Sequence, residues 1–179
     1  MKRFIFNVLL VIVSPLLSYS QDAKTPIENP LEQLNFMIGT WEGDSWMMTE
    51  NGKSSSKIKE TVNCKLDCNI LVAEGLGTKI DPETNEVKIV HNAFGVIFYD
   101  KISQSLMLRA YKDGNETTSK IELVEAKKIR WFLEIPNGSK VRFTSDYSEE
   151  NKWIETGEFS RDCKNYNTFM EMNLIRVKP

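Results

Sequence analysis

Phe36-Met37-Ile38-Gly39-Thr40-Trp41-Glu42-Gly43 is the stretch that decides the fold. It reads as the end of a short helix running directly into the first strand of a closed antiparallel barrel. Trp41 carries too much apolar surface to be left in water. Gly39, two residues earlier, lets the chain turn tightly while another backbone passes close by. Together they predict a plug at the bottom of a barrel.

Upstream of this stretch, Pro30 opens the helix, because proline is the residue best tolerated at a first helical position. Leu31, Leu34 and Ile38, flanked by Phe36 and Met37, put apolar groups on one side of it, which suits an element closing a barrel end. Residues 21–29 are polar, contain Pro26 and show no periodicity, as in a flexible linker. Residues 1–20 have the order of a signal peptide: Lys2 and Arg3, a mostly apolar run over 4–17, then small residues at Ser18 and Ser20 before Gln21. Cleavage near Ser20 predicts a periplasmic or secreted protein. The apolar run is shorter than the ~20 residues of a spanning helix, so no membrane span is expected in the mature chain. The organisation read from the sequence is signal peptide 1–20, linker 21–29 and one β-barrel domain over 30–179.

Downstream, roughly ten strand-like runs follow, each ended by turn chemistry and none with a long helical period. Trp41 to Thr49 ends at Glu50-Asn51-Gly52-Lys53, where Asn-Gly supplies a hairpin turn. Ser54 to Asn63 and Ile70 to Ile80 pair around Lys65-Leu66-Asp67. The run from Glu86 to Tyr99 is broken by Gly95, read as a kink or bulge. Ser105 to Tyr111, Thr117 to Val124, Ile129 to Ile135, Lys140 to Tyr147, Trp153 to Ser160 and Asn167 to Val177 complete an up-and-down meander. The fold class is therefore all-β, a closed antiparallel barrel of about ten strands with a short N-terminal helix. First and last strands are expected to pair, which removes exposed edges and brings Arg176 across the ring of Trp41.

These features resemble the lipocalin-like calycin barrels, in particular the nitrobindin-related group and a set of exported bacterial domains of unknown function. The likeness rests on Gly39-Thr40-Trp41-Glu42-Gly43 after a short helix, the ten-strand meander and an Arg in the last strand. It also runs through Leu76 to Thr78, His91-Asn92-Ala93, Tyr99-Asp100, Arg109-Ala110-Tyr111, Glu155 to Asp162 and Phe169 to Leu174. The resemblance implies a barrel able to host a ligand, haem in nitrobindins, through a histidine near the end of the last strand. Here Phe169-Met170-Glu171-Met172-Asn173-Leu174 offers only methionine sulfurs, so no cofactor is expected. Gly39, Trp41 and Arg176 are the structural residues of the pattern.

Composition narrows the function. The 179 residues, 41% apolar and 27% charged, suit one globular domain. Without residues 1–20 the chain has 21 basic and 25 acidic residues, a net charge of −4, interspersed and without the basic stripe that neutralises phosphates. Neither nucleic acid nor an anionic membrane surface is thus expected as a partner. Three cysteines leave one unpaired: Cys64 with Cys68 is the favoured disulfide, with Cys163 bonded to either of them, or three free thiols, as alternatives. A zinc site from these cysteines and His91 has metal-like spacing only at Cys64-x-x-x-Cys68, so no metal is expected.

Catalytic signatures are absent: no Gly-x-Ser-x-Gly elbow, phosphate loop or His-Glu-x-x-His occurs. Strand alternation places Trp153, Glu155, Gly157 and Phe159 on one face and Ile154, Thr156, Glu158 and Ser160 on the other, without saying which face is inside. An inward carboxylate is expected to pair with Arg109 or Arg142. Leu106 and Leu108, Trp131 and Leu133, and Val141 and Phe143 form apolar faces opposite Arg109, Arg130 and Arg142. His91, Arg109, Tyr111, Trp131 and Glu158 are the candidate ligand contacts. The expected function is exported, non-catalytic binding of a small, largely apolar molecule. Three alternatives accompany it. One is haem binding; the second is an enzyme using a shifted cavity acid beside a second titratable group; the third is a filled-barrel interaction protein with an apolar patch near Phe94 or Phe132.

Overall fold

A computed structural model describes residues 29–179; the expected signal peptide, and the linker apart from Asn29, lie outside the described residues. The first element is a 3-10 helix, Pro30–Met37, with Pro at its start and the Asn29 side chain accepting the Leu31 N–H at 3.0 Å. Leu31, Leu34 and Met37 are its buried residues, a spacing of three that matches three residues per turn. The helix type therefore moves the third anchor from the expected Ile38 to Met37.

Eleven strands follow in one antiparallel sheet: β1 (Gly39–Thr49), β2 (Gly52–Lys65), β3 (Ile70–Ile80), β4 (Val87–Asp100), β5 (Ser105–Lys112), β6 (Asn115–Lys120), β7 (Glu122–Glu125), β8 (Lys128–Glu134), β9 (Lys140–Asp146), β10 (Lys152–Ser160) and β11 (Asn167–Lys178). Their order is β6-β5-β4-β3-β2-β1-β11-β10-β9-β8-β7, so first and last strands pair in the middle of the sheet. The barrel is nearly closed, with its seam where β6 meets β7 and β8. The expected single strand over 117–124 breaks there at Ile121. Its side chain is buried, and its N–H still follows the β5–β6 register to Leu106 O at 2.8 Å before the chain passes to β7. Across the seam the Phe132 N–H donates to Ser119 Oγ at 3.1 Å.

The plug takes shape where β1 leaves the helix. Trp41 is fully buried, its Nε1 donates to Met37 O at 2.9 Å, and its ring meets Tyr147 and Trp153 edge-on. Arg176 on β11 lies 4.2 Å over the same ring. Gly39 has φ +135°, and a Cβ there would stand 2.7 Å from Lys178 O, so both backbone conformation and close approach require glycine.

One irregularity falls elsewhere than expected. Gly95 pairs regularly with Ala73 and Ala110, and its missing Cβ makes room for Leu108. The register shift in β4 comes instead at Val90, between His91 opposite Gly77 and Ile89 opposite Thr78. Cys64 and Cys68 are joined by a disulfide around the β2–β3 turn, their Cα atoms 4.8 Å apart, and Cys163 is unpaired and exposed. Among the described residues no helix is long and apolar enough to cross a membrane.

Candidate functional site

Above the plug, toward the β1–β2 hairpin, the barrel interior is open. The period of two along β2 turns Ile58, Glu60 and Val62 inward, while Lys57 and Lys59 point out to ion pairs with Asp44 and Glu42 on β1. On β10 the same period brings Trp153, Glu155 and Gly157 inside. On β11 it brings in Met170, Met172 and Leu174, with Glu155 directly opposite Met172. These strands and β4 enclose a cavity of about 270 Å³ lined by Ser45, Met47, Ser56, Ile58, Glu60, His91, Glu155, Met170 and Met172, with Lys79 and Lys112 also on its wall. Two glycines shape it. A Cβ at Gly75 would meet the Glu60 carboxylate at 2.5 Å, and one at Gly77 would meet His91 Cβ at 2.7 Å.

The chemistry concentrates at the two glutamates. Burial raises the Glu60 carboxyl to about 8, and repulsion from Glu155 adds to it. Burial raises Glu155 to about 7, held back by a hydrogen bond from Ser145 Oγ. The buried Tyr147, whose ring packs on Trp41 and Trp153, has its hydroxyl pushed well above its usual value by burial and by both carboxylates. His91 is lowered by burial and by Lys112, so it is neutral at pH 7. The floor of the cavity therefore holds two carboxyl groups whose ionisation is opposed by their surroundings. Ser145→Ala is expected to raise Glu155 by about one further unit, because the lost hydrogen bond favours the ionised form; a carboxyl carbon NMR titration reads this directly.

Of the five ligand contacts expected from the sequence, the structure places His91 on the cavity wall and the others elsewhere. Arg109 and Tyr111 point outward from β5, since Leu106 and Leu108 take the inner face; Arg109 pairs with Glu116 at 3.4 Å, and Tyr111 packs against Phe94. Glu158 is on the outer face of β10, paired with Arg142 at 2.8 Å, and Arg142 in turn covers the ring of Tyr166. Trp131 is inside but stacked on Phe143 at 4.2 Å between centroids, as part of the packed wall. The inward carboxylate, Glu155, is partnered by Ser145 rather than by Arg109 or Arg142. Glu60 was missed. Its signal was available as a glutamate in phase with Ile58 and Val62, flanked by the outward Lys57 and Lys59.

A wider groove of about 560 Å³ runs along the seam past Pro30, Gln33, Tyr99 and Lys120, but it is open and carries no buried charge. The internal cavity is the better site, because there apolar wall and convergent polar groups meet.

Fold and cavity together define a small, nearly closed antiparallel β-barrel with an acidic internal cup. Among solved structures the chain is similar in fold to Rv2717c from M. tuberculosis, at a TM-score of 0.57 and 10% identity over 82% of this chain and 96% of that one. No protein-family model and no curated protein sequence matches it.

Proposed function

We propose that this chain is an exported small-molecule-binding barrel of the nitrobindin-related, lipocalin-like type, holding its ligand in the cavity above Trp41. The observation that carries this reading is the cavity itself. A small barrel is either filled by side chains or holds one ligand. Here Gly75 and Gly77 make room for the Glu60 and His91 side chains, and the space they border is lined also by thioethers, hydroxyls and Glu155. Export rests on the order of charge, apolar run and small residues in 1–20.

Haem, the group the resemblance brings with it, suits this cavity poorly. Its volume of about 270 Å³ lies just below the ~300–1,000 Å³ of drug-sized sites. The last strand offers no histidine, and the propionates of a haem would meet two carboxyl groups. A second reading, general acid–base catalysis by the carboxyl pair with His91, is favoured by Glu60 near 8 and Glu155 near 7 in one cavity. Binding is preferred because, among the described residues, no arginine lines the cavity, and Arg176 is committed to Phe36 O, Ile38 O and the Trp41 ring, which leaves no guanidinium there to steady a developing anion.

Native mass spectrometry of the protein from its own host tests this. Wild type is expected to retain a small-molecule mass that is lost in Ser56→Phe, where the added ring fills the cavity. A molecule recovered unchanged after incubation supports binding, and one recovered converted supports catalysis. An empty wild type that also binds no small-molecule probe in vitro would refute the reading.

A further inference from the structure

The geometry points to a ligand with a protonated amine on an apolar body, the ammonium seated between Glu60 and Glu155 and the body lying along Met47, Met170 and Met172. This rests on the cavity being the binding site, as proposed above. Glu60 has neither a hydrogen bond nor an ion pair among the described residues, although its carboxylate lies deep in the barrel and lines the cavity. Such a group is costly to leave alone, and a cation delivered from solution is what would satisfy it. Gly75 confirms that the carboxylate's position is built in, because any larger residue would displace it.

The other charges do not do this work. Arg176 lies beyond the Trp41 ring and is held by Phe36 O and Ile38 O. Glu155 and Tyr147, the groups facing Glu60 from β10 and from the end of β9, are both acids. On the remaining walls are His91, neutral, and the exposed Lys79 and Lys112 on β3 and β5. A metal ion is a poorer occupant. Among the described residues no three His, Cys, Asp or Glu side chains converge, and thioethers beside two carboxylates do not suit a hard cation. An ammonium needs only two or three acceptors and tolerates the apolar wall.

The test is calorimetric titration of the purified protein with hexylammonium chloride and, separately, with 1-hexanol of the same length. The amine is expected to bind at least about tenfold more tightly at pH 8, since a charge-assisted hydrogen bond is roughly twice as strong as a neutral one. That preference is expected to collapse in Glu60→Gln/Glu155→Gln. Because the double variant has to fold to be informative, wild type supplies an independent arm. From pH 5.5 to 8.5 the carboxyl pair ionises while the amine stays charged, so amine affinity rises and hexanol affinity does not. Equal affinities for the two probes, or a flat pH response, would overturn the amine assignment and leave the cavity reading standing. Absence of binding by both would overturn both. Displacement of the amine by micromolar calcium chloride would overturn it in favour of a metal site.

Discussion

Replacing Arg176 with methionine is expected to lower the unfolding free energy by about 3–5 kcal/mol, as for losing two hydrogen bonds from a charged donor and a cation–aromatic contact, less the cost of part-burying the guanidinium. The guanidinium does three things at once. It donates through Nη2 to Phe36 O at 2.8 Å, donates through Nη1 to Ile38 O, and stacks 4.2 Å from the Trp41 ring. Each hydrogen bond from a charged donor contributes about 1.5–3 kcal/mol, and the cation–aromatic contact about 0.5–2 kcal/mol. The desolvation cost of burying an arginine offsets part of that sum. Methionine preserves much of the packing but leaves two carbonyls at the helix end without their donor. Arg176→Lys keeps the charge and loses the planar fork, so it is expected to recover only part of the stability. Urea unfolding of the three proteins measures this. A loss under 1 kcal/mol for Arg176→Met would mean that the plug is held by Trp41, Tyr147 and Trp153 without the arginine.

The second large effect is on pH. Glu60 and Glu155 bind protons more tightly folded than unfolded, at about 8 and about 7 against an ordinary value of 4.5. Because the native state holds the extra protons, their contribution to stability is fully present below about 4.5 and is lost as pH rises through about 7 to 8. Glu60→Gln removes the larger share of that loss. Glu60 is still protonated where Glu155 ionises, so Glu155 keeps its raised value of about 7 in the variant. The variant is expected to match wild type near pH 5 and to exceed it by on the order of 3 kcal/mol at pH 9. Denaturant titrations at the two pH values decide it. If Glu60→Gln destabilises equally at both, the native carboxylate is ionised and hydrogen-bonded, and the cavity floor is not a protonated acidic cup.

Most of the architecture was legible because local chemistry and global fold agree. Asn51-Gly52 marks the first hairpin, and Gly52 takes φ +97° as such a turn demands. Gly39, Trp41 and Arg176 announced the plug because a fully buried tryptophan with a partnered cation leaves few alternatives. Features that depend on through-space packing were not legible. The break at Ile121 lies where the chain passes from pairing with β5 to pairing with β8, and the bulge in β4 falls at Val90 rather than at the strand's own glycine.

The site shows the same division. Alternation correctly separated Glu155 from Glu158, but which face is inside is fixed only once Trp153 and Met172 are seen in the core. On β5 the pattern of Leu106 and Leu108 already set Arg109 on the opposite face, and favouring it for its charge ran against that pattern. Lone charged residues attract attention in a sequence, whereas Glu60 was hidden between two lysines that point the other way.

The most direct test of ligand binding in the cavity uses the methionines as reporters. In protein labelled with carbon-13 at its methionine methyls, small apolar molecules and amines are added one at a time. Met170 and Met172 line the cavity, Met37 is buried in the plug, and Met107 alternates outward on β5. Binding in the cavity predicts saturable shifts at Met170 and Met172 with Met37 and Met107 unchanged. Shifts confined to Met107, or none at Met170 and Met172 with any compound, would contradict it.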